Sequence, residues 1–412
     1  LLMVACLAGC GAEGEAVPAQ LPAPWLAMAG RGNEARSATR VLAEDTLELA
    51  GALHGALVEP DTNLLFSPHA ISAALGMVQL GAGGHTAEEI ARAAHFSLSP
   101  RELPLAFAAQ RKALARLEGG PSDRVTLTQA NALWGADGLG LLPAYRTSLG
   151  MGFDGAWHAA PFATSPAEAR ASINGWVAER TGGRIQDLVP PEAITADTRL
   201  MLTSALYLAA PWARPFPRHA VRERPFYAAR GPQTAPMMSL HMRAAYGASA
   251  DFQAVELPYD GGSLSFVLLV PHDRDGQALD RLDGAELRRL VGALAPREVR
   301  VALPRFRASV ACDLREALGR LGVHDAFDAA AANFEGISGG RGLFISNVQH
   351  RATVEVTEAG THAAAAVAVG IMPTSLPTDP ATVEADHPFA FLIRDSVSGA
   401  LLFMGRIAQP NG

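Results

Sequence analysis

Residues 358–375 read EAGTHAAAAVAVGIMPTS, from Glu358 to Ser375, and form the most unusual segment of the chain. Gly360 supplies a flexible joint, because a residue without a Cβ enters backbone regions closed to the others. The run Ala363-Ala364-Ala365-Ala366 carries little side-chain bulk and little side-chain entropy. Beyond it Val367, Val369 and Ile371 alternate with Ala368, Gly370 and Met372, which is the period of a strand. Pro373, Pro377 and Pro380 then break any regular element, and Thr378, Asp379 and Thr382 keep that stretch polar. Burying Val367, Val369 and Ile371 would contribute about 1.5–3 kcal/mol each. With ladder hydrogen bonds added, the segment is a spring that a cut near its far end would release. An ordinary buried strand followed by a loop accounts for the same residues equally well.

Outward from this segment, strand signals dominate the second half of the chain. Residues 263–270, 299–303 and 352–356 alternate, and residues 389–393 form a short apolar run. Helix signals dominate the first half. Val41, Leu42, Leu47, Leu49, Leu53 and Leu57 make a helical stripe that ends near Pro60. Thr86-Ala87-Glu88-Glu89 has the form of a capping box at the start of a second helix. A third is predicted over residues 102–117 and a fourth over residues 166–181. With no strict alternation of strand and helix, the pattern indicates an α+β fold. Neither an internal repeat nor a Pro/Gly-rich linker divides the chain after residue 40, so residues 38–412 are read as one large domain.

The 412 residues are 49% hydrophobic and 18% charged, which suits a globular protein with ample core. A net charge of −7 gives no reason to expect nucleic acid as a partner. Residues 1–9 form a short apolar run of small residues, read as a signal peptide clipped at its start. Leu7-Ala8-Gly9-Cys10 resembles the lipobox of bacterial lipoproteins, which would leave a lipid on Cys10 and a flexible tether over residues 10–37. The expected location is then export, with a lipid anchor at the bacterial cell envelope, or secretion. Cys6 would leave with the signal, and Cys312 stands alone beside Val310, Ala311 and Leu314, as a buried structural thiol.

Catalytic motifs mostly fail. No His-Glu-x-x-His, P-loop or Cys-x-x-Cys occurs, and Lys112, the only lysine, has Ala109 rather than serine three residues before it. Gly336-Ile337-Ser338-Gly339-Gly340 matches Gly-x-Ser-x-Gly on paper. A nucleophile elbow needs a strand before Ser338 and a helix after it, and the glycines here predict a surface turn instead. The twelve histidines show no ligand spacing, so neither a metal site nor a cofactor is expected. His350, beside a strand signal, reads as a hydrogen-bonded core histidine. Arg111, Lys112 and Arg116 read as a solvated basic face.

The residues then resemble the serpin family, from about position 38 to 410. Asn63-Leu64-Leu65-Phe66-Ser67-Pro68 with Ile71-Ser72-Ala73-Ala74-Leu75-Gly76-Met77 is similar to that family's second helix and its lead-in. Leu80-Gly81-Ala82, Ile173-Asn174-Gly175-Trp176-Val177, Thr181-Gly182-Gly183-Arg184-Ile185, Pro236-Met237-Met238 and Glu256-Leu257-Pro258-Tyr259 follow in family order. So do Leu303-Pro304-Arg305-Phe306, Asp386-His387-Pro388-Phe389 and Phe403-Met404-Gly405-Arg406-Ile407.

The resemblance implies a metastable serpin fold with three β-sheets, about nine helices and an exposed reactive loop near the C-terminus. It implies a suicide inhibitor rather than an enzyme: a protease cuts the loop, forms an acyl-enzyme and is carried away as the loop inserts into the central sheet. Glu358, Gly360, Thr361 and Ala363, Ala364, Ala365 and Ala366 match the loop hinge. Val367, Val369 and Ile371 would be the inserting strand, and the reactive bond falls at Thr374-Ser375. Ser67 and His350 match the shutter that parts for insertion, with Ser204 where asparagine is usual and Ala70 where a serine is. Trp212 matches the tryptophan at the top of the sheet. Thr374 implies a serine protease of elastase-like, small-residue specificity as partner, with a papain-like cysteine protease as alternative. A non-inhibitory binding or structural serpin is the other alternative. The chain is expected to be a monomer held at the membrane only through Cys10.

Overall fold

A computed structural model of the chain describes residues 33–117, 125–153, 157–362 and 380–410, with side chains from residue 37 onward. Cys10, Ala363, Ala364, Ala365, Ala366, Val367, Val369, Ile371, Thr374 and Ser375 lie outside the described residues.

Among the described residues six helices fall in the first half, four of them (α1, α3, α4 and α6) read from the sequence pattern and α2 from the family resemblance: α1 (Asn33–Leu57), α2 (Pro68–Gln79), α3 (Gly84–Ala93), α4 (Glu102–Leu114), α5 (Pro143–Phe153) and α6 (Pro166–Arg180). Four short ones follow: α7 (Gln277–Asp280), α8 (Gly284–Gly292), α9 (Arg315–Arg320) and α10 (Glu335–Ser338). Ser67 caps α2, its hydroxyl accepting from the Ala70 amide at 3.1 Å, and Pro68 takes the first helical position, where its missing N–H costs nothing. Among the described residues no helix is long and apolar enough to cross a membrane.

Two expectations about helices are corrected. α1 begins at Asn33, inside the stretch read as tether, because Glu34, Ala35 and Arg36 are good helix formers. The Thr86–Glu89 capping box does not form. α3 starts earlier, behind Gly83, with no side-chain cap. Thr86 Oγ1 instead accepts from the Asn333 amide at 3.0 Å, and Glu89 Oε2 from the amides of His324 and Asp325. Both side chains hold a distant segment against α3 rather than its own first turn.

Among the described residues, fifteen strands numbered along the chain form two hydrogen-bonded sheets. The larger contains β1 (Leu64–Phe66), β5 (Arg222–Ala228), β6 (Gly231–Ala248), β7 (Phe252–Pro258), β8 (Leu264–Pro271), β9 (Ala295–Pro304), β13 (Ala381–Glu384), β14 (Phe389–Asp395) and β15 (Leu401–Ile407). β6, at 18 residues, pairs with β5 and β9 along most of its length and with β7 through its last four residues. Two of the three expected sheets are thereby joined through one strand. The second sheet contains β2 (Thr126–Ala136), β3 (Trp157–Ala160), β4 (Leu200–Pro211), β10 (Phe306–Asp313), β11 (Ile345–Thr357) and β12 (Gly360–Thr361), in the order β10-β11-β12-β4-β2-β3.

The alternation read in residues 263–270 does not become an inside–outside pattern: every residue of β8 is buried. β8 lies between β7 and β14 with both faces covered, where polar residues on one face would have no solvent to meet. The core is double. Leu206, Leu208, Val354 and Val356 of the six-stranded sheet share one cluster with Phe266 and Phe391 of the larger sheet. Leu200, Leu202, Leu133 and Val348 share that face farther along the strands and pack into a cluster with the helices, while on the opposite face Trp134 meets Trp176 of α6. The six-stranded sheet is therefore the middle layer of an α+β fold.

Candidate functional site

β11 pairs with β4 in parallel through eight register pairs, from Ile345↔Leu200 to Thr353↔Tyr207. Beyond Thr353 the two strands part, and Gly360 and Thr361 lie between them, antiparallel to both. Val356 faces Thr361 and Thr357 faces Gly360 on one side; Pro211 and Ala210 face them on the other. Only glycine fits the first position. Gly360 has φ +148°, and a Cβ there would sit 2.2 Å from the Ala210 carbonyl oxygen. Thr361 is fully buried, with Oγ1 2.5 Å from the Tyr259 hydroxyl. His362 follows at φ +47°, its amide donating to the Glu355 carbonyl at 2.7 Å and its ring 5.0 Å from that of Tyr207.

The turn that delivers these two residues is held from several sides. The Trp212 indole stacks on Tyr259 at 4.6 Å and 4°, while its Nε1–H donates to the Thr357 carbonyl at 2.9 Å. The Trp212 and Phe216 amides donate to the carbonyls of Ala359 and Glu358 at 2.9 and 3.0 Å. Glu358 itself pairs with Arg305. Burial raises the Glu358 carboxyl, but the Arg305 guanidinium and nearby N–H groups outweigh it and hold the group below the usual carboxylate range.

Lower in the same seam, His350 of β11 lies opposite Ser204 of β4. The Ser67 amide donates to His350 Nε2 at 3.1 Å, so the imidazole proton sits on Nδ1, 3.2 Å from Ser204 Oγ. Burial pushes the His350 pKa down to about 4, partly countered by its bond to Ser204, which keeps the ring neutral near pH 7. Serine in place of asparagine thus still bridges the two strands. Ala70, where a second hydroxyl was expected from the family pattern, is buried and its amide is taken by Ser67.

The structure brings Glu358, Gly360, Thr361 and Trp212 together at one end of the seam, and Ser67, Ser204 and His350 within it. Tyr259, Arg305 and Tyr207 complete the first group, and sequence reasoning missed their part in it. Tyr259 and Arg305 stand in motifs that were read, but nothing local says that their side chains reach residues 358–361. Elsewhere, Ser338 ends the single-turn helix α10 and is followed by Gly339 at φ +80°, so no strand-to-helix elbow exists there. Burial, helped by Asp313, raises the Cys312 thiol to about 11, as suits an inert structural cysteine. Arg116 leaves the solvated basic face expected for it and pairs with the fully buried Asp395.

The six-stranded sheet thus holds the first two residues of a further strand between two strands that pair in parallel below them. The model of the family described as Serpin (serine protease inhibitor) matches residues 44–410, and the chain belongs to that family. It is 36% identical over 363 residues to leukocyte elastase inhibitor of Bos taurus, covering 85% of this chain and 94% of that one. An uncharacterized serpin-like protein of Thermococcus kodakarensis is 34% identical over 361 residues, covering 87% of this chain and 83% of that one. Among solved structures, maspin superposes with a TM-score of 0.82 at 24% identity, over 91% of this chain and all of that one.

Proposed function

We propose that this chain is a suicide inhibitor of a serine protease. The protease serine attacks the Thr374 carbonyl, the bond to Ser375 breaks with its amine taking the proton, and Thr374 stays as an ester on the protease. The freed segment then follows Gly360 and Thr361 into the seam between β4 and β11. The observation that carries this reading is the seating of Gly360 and Thr361 between those strands. Side chains alternate in a strand, so residues of Thr361's parity enter facing the core: Ala363, Ala365, Val367, Val369 and Ile371. The three large apolar residues all have that parity. Insertion must break the parallel pairs, the Ser204–His350 bridge included, and replaces them with antiparallel pairs on both sides.

Thr374 and the similarity to a protein named leukocyte elastase inhibitor support a target with a pocket for small side chains. Incubation with an elastase-type protease is expected to give a covalent complex stable in SDS; clean loop cleavage without complex would overturn the proposal.

A second reading, a serpin that binds without trapping, draws on His362. This non-glycine residue holds φ +47° and must turn over before a strand extends past it. It predicts that loop cleavage leaves the melting temperature unchanged, whereas the inhibitor should become markedly more stable. The lipobox-like Leu7-Ala8-Gly9-Cys10 supports a lipid anchor, which Cys10→Ser should abolish, as read by fatty-acid labelling.

A further inference from the structure

Away from the seam, one cluster gathers metal-ligand atoms. His85 and Glu89 stand four residues apart on α3 and so share a face. Asp325, in the segment after α9, meets them: His85 Nδ1 is 2.8 Å from Asp325 Oδ2 and 3.4 Å from Glu89 Oε1. The three ligand atoms all lie within 4.8 Å of one another.

The state of Glu89 separates this cluster from a surface ion pair. Its side chain is only 4% exposed. Oε2 accepts the amides of His324 at 2.9 Å and Asp325 at 2.8 Å, which fixes the carboxylate and aims Oε1 at His85. A neutral imidazole has one proton on Nδ1 at most, and Asp325 takes it at hydrogen-bonding distance. Glu89 Oε1 and Asp325 Oδ2 thus converge on one ring nitrogen, two carboxylates held close together. Two carboxylates that close repel each other, and a cation between them relieves the repulsion. Beside the cluster lies a cavity of about 250 Å³ whose polar lining includes Thr86, Asn333, Glu335 and Arg341, with room for water.

We propose that His85, Glu89 and Asp325 bind a divalent transition-metal ion of the zinc type, with water from the cavity as a further ligand. One imidazole nitrogen and two carboxylate oxygens suit zinc, whereas calcium and magnesium favour oxygen alone. Ligands about 2.0–2.2 Å from zinc lie roughly 3.4 Å apart, a spacing that small shifts of the exposed His85 ring and of Asp325 reach. The ion ties α3 to a segment more than two hundred residues along the chain. The absence of a metal site expected from the sequence rested on spacing within single segments, which does not register such a set.

The test is equilibrium dialysis of the full chain, first stripped with chelator, against zinc chloride, with cobalt(II) absorption as second readout at constant pH. One equivalent should bind. His85→Ala and Asp325→Asn should each weaken that binding at least about tenfold, while the exposed His272→Ala should leave it unchanged. Because His85 is largely exposed, its variant leaves the core untouched, with folding checked by circular dichroism. No stoichiometric binding, or binding indifferent to His85→Ala, would overturn the proposal.

Discussion

Thr361 Oγ1 and the Tyr259 hydroxyl lie 2.5 Å apart with both side chains fully buried, so the first residues of the inserting segment are anchored before any cut. Thr361 keeps this place whether or not the rest of the segment follows. Tyr259→Phe leaves a buried hydroxyl unpartnered at a cost of about 1–3 kcal/mol. The intact and the loop-cleaved forms should lose stability equally, leaving the gap between their melting temperatures unchanged. A change in that gap, measured by calorimetry, would show that the anchor exists in only one of the two forms.

Gly360→Ala should act differently. The added methyl meets the Ala210 carbonyl, a backbone atom that cannot swing aside, and φ +148° is closed to alanine. The segment should withdraw from between β4 and β11, and the protein should turn from inhibitor towards substrate. On SDS gels the cleaved product should exceed the covalent complex several-fold.

Strand parity makes a paired prediction. Val369→Asp places a charge on the core-facing side of the inserted strand, where it costs several kcal/mol, so trapping should fail. Ala368→Asp, on the opposite face, would instead come beside the polar Thr203 and Gln349 and should impair trapping less. Equal effects from the two, read as moles of complex per mole of protease, would mean that the register continued from Thr361 is wrong.

Acid should loosen the fold through its buried histidines. His350 and His54 both titrate at about 4 in the native state, mainly because burial penalises their charged forms. The unfolded chain protonates them near the ordinary histidine value of about 6.5, so below that value it binds more protons than the native state. The stability they support is fully present above pH 6.5 and is lost as pH falls towards 4, up to roughly 3 kcal/mol each. Among the described residues His54 has no hydrogen-bond partner on either ring nitrogen, so His54→Leu should lower the slope of denaturation free energy against pH by about one proton in that window.

The residues that decide the fold were legible because they are local. The Gly360 joint falls within one short segment, and helices α1, α4 and α6 carry their own periodicity and stop signals, while the small-residue run and the apolar alternation lie outside the described residues. What was not legible is tertiary. Thr86 and Glu89 look like a cap and serve as ties to residues 324–333. The alternation in β8 predicts a half-exposed strand, but its place between β7 and β14 buries both faces. Tyr259, Arg305 and Tyr207 join the hinge through contacts across sheets, and no spacing along the chain announces them.

The parting of β4 and β11 above Thr353 gives this sheet an edge in its interior, and among the described residues Gly360 and Thr361 cover it. An uncovered edge accepts any extended strand of matching pattern, and a neighbouring copy carries one. Donor segment and acceptor seam are different surfaces, so such an exchange does not close into a symmetric pair; it propagates copy to copy as an open chain. On the proposed mechanism, the seating of Gly360 and Thr361 then limits exchange between copies as well as preparing the seam for the cut loop.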